Sequence, residues 1–173
     1  ETEPPFPAYY RKLTGQQTPV EAQVAEKKRK VLYENMAGEL ENLVRMFPEP
    51  GRAADGVDRG QLKEAIAAFL VGCPVYRYYG NRIPLEAEER AAIGNILGGM
   101  RAADLPPGVV DALEQVLLYD GQDPGFAQQA LRFYQRLMQF SGPLMAKGVE
   151  DTLMYTFNRF IGHNEVGDSP ETF

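Results

Sequence analysis

The sequence predicts an all-α protein, a bundle of about five or six helices. Apolar residues recur at spacings of three and four along most of the chain, the period of a helix that buries one face. Prolines, glycines and capping residues stand where these stripes begin and end. Alternation typical of a strand appears only in the short run GPLMA. The chain of 173 residues is long enough for one domain with a substantial core.

The first part of the chain predicts an arm followed by a long helix. Residues 1–17 are rich in proline and polar residues, and we expect them to be extended. Thr18 and Glu21 then fit a capping box, and Pro19 suits the first helical position. Residues 18–140 are expected to form a helical domain. The apolar stripe of its first helix comprises Val20, Val24, Val31, Met36, Leu40, Leu43, Val44 and Phe47.

A second helix is expected to begin at Asp58, with Gln61 in the reciprocal capping position. Pro74 ends it, because a proline disfavours helical geometry in the residue before it. The run PVYRYYGNRIP, residues 74–84, then predicts a tyrosine-rich connector with an extended backbone. The buried positions of this helix are expected to be Leu62, Ile66, Phe69, Leu70 and Cys73.

Three more helices follow the connector. Two prolines precede the fourth helix, and Asp123 and Pro124 mark the beginning of the fifth. Gly142 and Pro143 are expected to stop the fifth helix. The inward positions are Ile93, Ile96, Leu97 and Met100, then Val109, Val110, Leu113, Val116 and Leu117, and finally Phe126, Ala130, Phe133, Leu137 and Met138.

The charge balance argues against nucleic acid as a partner. With 24 acidic and 18 basic residues the net charge is −6, whereas binding to a phosphate backbone depends on clusters of Lys and Arg. The one basic cluster, EKKRK at residues 26–30, lies within a helical pattern beside acidic residues and is interpreted as a solvated helix face, with an anion site as the alternative.

Composition also limits the chemistry of the chain. It has one cysteine and one histidine, so no metal site and no cofactor are predicted. Cys73 follows the apolar face of its helix and is interpreted as a small buried hydrophobe. A single cysteine fits a reducing compartment, and no apolar run approaches the roughly 20 residues of a bilayer span. We therefore expect a cytoplasmic protein with no membrane partner.

The final part of the chain carries an unusual set of polar side chains. After Lys147 and Gly148, a short helix is indicated by the apolar positions Val149, Leu153, Phe157, Phe160 and Ile161. Another side of that helix collects Asp151, Tyr155, Asn158 and Arg159. These four groups can hold a ligand rich in hydroxyls, or they can form a hydrogen-bonded network with a neighbouring helix. Spacing alone leaves both interpretations open.

No catalytic residue is predicted in this chain. Glu150 and Asp151 are adjacent, and neighbouring helix residues point about 100° apart, so the two carboxylates do not face one site as a glycosidase pair would. His163 lies in the turn IGHNEVG without a serine or second histidine to act with.

The run SGPLMAKGVEDTLMYTFNR, followed by NEVG, resembles the malto-oligosyltrehalose synthase family of the α-amylase superfamily. Members of that family carry a run close to SGPVMAKGVEDTAFYRYNR and then NEVGGDP. CPVYRYYG is similar to the family's FPVYRTY element, and RKVLYENMAGELENLVRMF is similar to the stretch before it. The resemblance spans the chain from about Lys27 onward, and it is weakest between Pro84 and Phe126.

The resemblance implies an intramolecular transglycosylase of trehalose biosynthesis. Such an isomerase converts the reducing-end α-1,4 linkage of a malto-oligosaccharide into an α,α-1,1 linkage, on a (β/α)8 barrel interrupted by a helical insertion. This chain resembles that insertion, with residues 141–173 as the segment that returns to the barrel. The family's nucleophile, acid/base and third aspartate have no counterpart here, so the chain alone is expected to be inactive.

The matched motif positions are the candidate substrate-binding residues, and Lys147 is the one most expected to touch sugar. The alternative for Lys147 is a salt bridge between this loop and the barrel. Thr156 stands where the family usually has Arg, and Met154 where it has Phe; Asp168 and Ser169 replace a Gly-Asp pair. The full set is Lys147, Glu150, Asp151, Tyr155, Asn158, Arg159, Asn164 and Glu165.

The expected partners are a malto-oligosaccharide in the full-length enzyme, the barrel, and a second copy of the fragment. The connector tyrosines could stack on pyranose rings or pack beneath the loop. Two other functions stay open, a helical protein-interaction module and a stand-alone carbohydrate-binding module. An acidic bundle with a tyrosine cluster would suffice for the first, and the second predicts that the isolated chain binds maltoheptaose measurably.

Overall fold

The computed structural model describes residues 6–15, 18–48 and 57–157, and within these ranges it is helical and contains no strand. The all-α prediction is therefore confirmed. Seven helices of nine residues or more occur in the described ranges, and a π-helix and one short turn follow the last of them. Their bounds are α1 Phe6–Thr14, α2 Val20–Glu34, α3 Ala37–Met46, α4 Arg59–Gly72, α5 Ala87–Ala102, α6 Pro107–Leu117, α7 Pro124–Met145, the π-helix Ala146–Leu153 and α8 Met154–Thr156.

Helix α4 lies at the centre of the bundle and packs against α2, α3, α5, α6 and α7. Its position follows from its sequence, since apolar residues occupy more than one side of the helix. Ile66, Phe69 and Leu70 are fully buried, and so are the neighbouring Ala65 and Ala67. Burying a large apolar side chain contributes roughly 1.5–3 kcal/mol, so this helix holds much of the core together.

Two helix beginnings predicted from the sequence are confirmed. The Asp58 carboxylate accepts hydrogen bonds from the backbone N–H of Gly60 at 2.8 Å and of Gln61 at 3.0 Å. At the start of α7, the Asp123 carboxylate accepts from Gly125 at 2.8 Å and from Phe126 at 3.2 Å. Each bond satisfies a donor that the first turn of a helix leaves without a partner.

The capping box predicted at the beginning of α2 is wrong. The helix begins at Val20 after Pro19, and no side chain caps it. Thr18 instead offers its backbone carbonyl, which accepts a hydrogen bond from the Gln23 side-chain amide at 2.9 Å. The capping-box pattern was therefore present in the sequence without the capping geometry.

The chain before α2 and the length of α2 also differ from expectation. Phe6–Thr14 form a helix, so the extended arm predicted for residues 1–17 is wrong over that range. The Tyr10 ring of this helix lies 6.4 Å from the Phe157 ring, and this contact brings α1 beside the far end of the described chain. The long stripe from residue 20 to 47 is divided between α2 and α3, with the break at Asn35 and Met36.

The connector between α4 and α5 contains no helix or strand, and the partly buried carboxylate of Glu89 helps to hold it in place. Glu89 accepts a hydrogen bond from the Gly80 backbone at 2.8 Å and another from the Tyr134 hydroxyl. A Cβ atom at Gly80 would stand 2.7 Å from Leu85 and 2.9 Å from Tyr134. The connector therefore depends on a residue without a side chain at this point of close approach.

Gly142 and Pro143 do not stop α7, which runs to Met145 and continues directly into the π-helix and α8. Tertiary contacts explain why α7 continues past these two residues. Leu144 is fully buried, and the Ser141 hydroxyl lies 2.7 Å from the Tyr76 carbonyl oxygen and 2.9 Å from that of Met138. Proline weakens a helix interior, but the side-chain burial gained by continuing the helix outweighs that local cost.

No helix in the described ranges has both the length and the apolar character that crossing a membrane requires.

Candidate functional site

The π-helix and α8 expose three of the predicted site residues, Lys147, Asp151 and Tyr155, which we call the outer face. The Lys147 ammonium lies 2.5 Å from the Asp151 carboxylate, one helical turn away, and both side chains are exposed. The hydrogen bond that Lys147 donates to the Asp151 carboxylate raises the pKa of Lys147, so this lysine is charged at neutral pH. Tyr155 is 82% exposed.

The opposite side of the same segment forms a small apolar cluster of its own. Val149, Leu153, Met154 and Phe157 are buried there together with Val20 at the start of α2. The sequence predicted Val149, Leu153 and Phe157 as the apolar stripe, and the structure confirms them. The segment is therefore amphipathic, and its outer face is held towards solvent by the burial of its inner face.

Gly148 lets this segment approach α2 closely. A Cβ atom at Gly148 would stand 2.8 Å from Lys28 Cγ and 2.9 Å from Lys28 Cα, which is closer than real Cβ atoms come to other atoms. Because one of these atoms belongs to the backbone of α2, a rotamer change alone cannot make room for a side chain. A glycine at position 148 is therefore explained by packing, because it allows the two helices to touch.

Lys28 itself is buried, with only 1% of its surface exposed. Its ammonium donates hydrogen bonds to the carbonyl oxygens of Val71 at 3.0 Å and Cys73 at 2.8 Å. Those carbonyls stand at the end of α4, where a helix leaves acceptors without partners and its dipole favours a cation. Burial lowers the pKa of Lys28 to about 8, and the nearby Cys73 opposes that shift.

The interpretation of EKKRK as a solvated helix face is wrong for Lys28. The sequence did contain a signal for its position. Lys28 lies four residues after Val24 and three before Val31, in register with the apolar stripe of α2. A lysine at such a position either extends its ammonium to solvent or finds carbonyl partners, and the pattern does not distinguish the two outcomes.

The first residues of the connector rest against the end of α7. Cys73 is buried, as predicted for a small hydrophobe, and burial raises the pKa of its thiol. A Cβ atom at Gly142 would lie 3.5 Å from the Tyr76 carbonyl oxygen, in ordinary contact. The two stretches that carry the family-like motifs, CPVYRYYG and SGPLMAKGVED, therefore touch at Tyr76, Ser141 and Gly142.

The connector tyrosines occupy different environments. Tyr79 is 79% exposed, and the Arg77 guanidinium lies 5.3 Å from the centre of its ring. Tyr76 is partly exposed, whereas Tyr78 packs against the main core. Tyr78 therefore packs beneath the loop, whereas the exposed ring of Tyr79 is open to stacking.

The other predicted site residues divide into two groups. Glu150 is described and half-buried on the same π-helix. Asn158, Arg159, Asn164 and Glu165 lie outside the described residues, as does His163. For the part that is described, the partner of Asp151 is Lys147 of its own segment and not a neighbouring helix. Within the described ranges, no group of three or more His, Cys, Asp or Glu side chains is placed to hold a metal ion.

No protein-family model, curated protein or solved structure matches this chain. The likeness to the malto-oligosyltrehalose synthase family accordingly rests on the motif residues alone.

Proposed function

We propose that this chain is the helical portion of an intramolecular transglycosylase that forms maltooligosyl trehalose from malto-oligosaccharides. The observation that carries the proposal is the run from Ser141 to Arg159, which resembles the family motif over its whole length without a gap. The catalytic carboxylates belong to a barrel encoded elsewhere in the same protein. This chain contributes one wall of the glucan site.

The division of the motif between buried and exposed residues supports the proposal. Gly148 and Val149 are buried and hold the segment against α2. Lys147, Asp151 and Tyr155 face outward, where they can meet a ligand. A motif that served packing alone would not require a lysine, a carboxylate and a tyrosine on the exposed side.

The chemistry of the outer face suits a polyhydroxylated substrate. An ammonium donates up to three hydrogen bonds, and a carboxylate accepts from hydroxyl groups. The phenol ring of Tyr155 offers a flat surface with a polar edge. In this proposal Lys147 and Asp151 orient sugar hydroxyls, Tyr155 packs against a ring, and no proton transfer is assigned to any of them.

The test begins with the gene that encodes this chain. We expect its full reading frame to encode a barrel and its product to convert maltopentaose into a non-reducing sugar with an α,α-1,1 linkage, measured from anomeric proton signals. Lys147→Met should lower kcat/KM by about 10- to 100-fold, the loss expected from one charged hydrogen bond of roughly 1.5–3 kcal/mol. Lys30→Met, at an exposed lysine of α2, is the matched control and should leave kcat/KM unchanged.

Three results would overturn the proposal. They are a full-length gene without a barrel, a full-length product that leaves maltopentaose unchanged, and turnover by these 173 residues alone.

A titration of this chain with maltoheptaose should show millimolar affinity or none, because one wall offers few convergent contacts. Micromolar binding would instead identify a stand-alone carbohydrate-binding module.

A further inference from the structure

A cleft of about 570 Å³ opens on the side of the bundle between α4 and α5, and none of Lys147, Asp151 and Tyr155 lines it. Pockets for small molecules commonly measure about 300–1,000 Å³ and combine apolar walls with a few polar groups. This cleft has both features. Its apolar walls include Val71 of α4, Ile96 and Met100 of α5, and Leu105 beyond the end of α5.

Glycines keep the cleft wide. Gly72 and Gly99 both line it, and a Cβ atom at Gly99 would meet no other atom within 4 Å. Space therefore extends directly above the α5 backbone at Gly99. Gly98 is equally open and belongs to the same helix, but it does not line the cleft. The two neighbouring glycines thus provide a site variant and its matched control.

Three polar side chains border these apolar walls, namely Arg29, Tyr78 and Asn95. Arg29 is held at the edge by the Glu64 carboxylate, 3.3 Å from one terminal nitrogen, and by the Tyr33 ring, 5.8 Å away. One contact of this kind leaves most of the five N–H donors of a guanidinium available. Burial raises the pKa of Tyr78, so its hydroxyl is a neutral donor.

We propose that this cleft binds a small amphiphile with an apolar body and one anionic group. The body lies on Val71, Ile96 and Met100, and the anion meets the Arg29 guanidinium at the edge. Tyr78 and Asn95 can each donate a hydrogen bond to polar atoms of the same molecule. This site is separate from the proposed glucan site, since a bare sugar would leave hydroxyls without partners along the apolar walls.

The probe for the test is 1-anilinonaphthalene-8-sulfonate, which has two aromatic groups and one sulfonate. We expect saturable binding by the chain, with enhanced fluorescence and shifts confined to methyl resonances of Val71, Ile96, Met100 and Leu105. Gly99→Leu fills the cleft and should weaken binding by about tenfold or more. Gly98→Leu should bind the probe with the affinity of the wild-type chain, and Arg29→Met should weaken binding by about two- to fivefold.

Several outcomes would overturn the proposal. One is that Gly99→Leu binds the probe as tightly as the wild-type chain. Another is that Gly98→Leu loses as much affinity as Gly99→Leu. A third is that the methyl shifts extend to Leu113 and Val116 on α6. The methyl shifts need no variant, so they decide the matter even if Gly99→Leu does not fold. An oligomer that dissociates in Gly99→Leu would show that a second copy of the chain covers the cleft, and that result would also overturn it.

Discussion

The core around α4 and the segment from Ala146 to Phe157 bury apolar side chains in different ways. The core surrounds α4 with five other helices, so loss of one contact leaves many others in place. The segment buries one side in a small cluster and exposes the other, and its strongest attachment is to α2. We infer from this comparison that the core contributes most of the free energy of unfolding. The segment is less stable than the core, and it presents the outer face.

The largest effect should separate the two regions directly. Leu113 in the core and Leu153 in the small cluster are both fully buried. Leu→Ala at a buried site costs about 2–5 kcal/mol, and we expect Leu113→Ala near the upper end and Leu153→Ala near the lower end. The reason is that a small peripheral cluster can open or collapse without disturbing the rest. Chemical unfolding measures both losses.

Hydrogen exchange gives the sharper readout for this pair. Leu153→Ala should accelerate exchange across residues 149–157 and leave α4 protected, whereas Leu113→Ala should affect all of the core helices. Equal acceleration of α4 in the two variants would mean that the segment and the core unfold as one unit.

The next effect concerns the close approach of the segment to α2. Gly148→Ala should destabilise the protein by about 1–3 kcal/mol, because its Cβ atom would overlap the Lys28 backbone. Gly98→Ala on α5 is the matched control, since open space surrounds that position and alanine favours a helix by about 0.5–1 kcal/mol. Opposite signs in thermal unfolding are expected. A gain in stability at both positions would contradict the observed contact.

A third effect, on pH dependence, tests the buried lysine that joins the two regions. The pKa of Lys28 is lowered to about 8 in the folded state, from 10.5. Above pH 8 the unfolded chain therefore binds more protons at this site than the folded chain, and stability should rise with pH by about 1 kcal/mol per pH unit. The usable window ends near pH 9, because burial raises the pKa of the Cys73 thiol and so opposes the trend above its usual value of 9.0.

The comparison variant for this measurement is Lys28→Met, which keeps most of the side-chain volume and cannot be charged. The rise in the free energy of unfolding between pH 8 and 9 should be absent in Lys28→Met. Parallel pH profiles for the two proteins would show that the ammonium is not desolvated.

The smallest effect on stability is expected on the outer face. Lys147 and Asp151 are both exposed, and exposed ion pairs contribute little to folding. Lys147→Met and Asp151→Asn should therefore unfold at the same denaturant concentration as the unchanged chain. A clear loss of stability in both variants would assign the outer face a structural role and weaken its assignment to glucan.

How well the sequence predicted each element depended on where the deciding interaction lies. The Asp58 and Asp123 caps involve only residues two and three positions away, and both were predicted correctly. The same holds for the inward positions of α5 and α6, which follow from helical periodicity. Of the candidate site, the exposure of Asp151 and Tyr155 opposite the apolar stripe was also predictable, since it needs only the spacing of residues on one helix.

The sequence by itself determined an all-α bundle, the beginnings of α4 and α7, and the amphipathic character of the final segment, because these depend on neighbours a turn or two apart. Only the tertiary structure decided that α7 continues past Pro143 and that Lys28 is buried. In the first case distant burial outweighs a local break. In the second, the carbonyls that accept from the ammonium are supplied by α4, far away in the chain and adjacent only after folding.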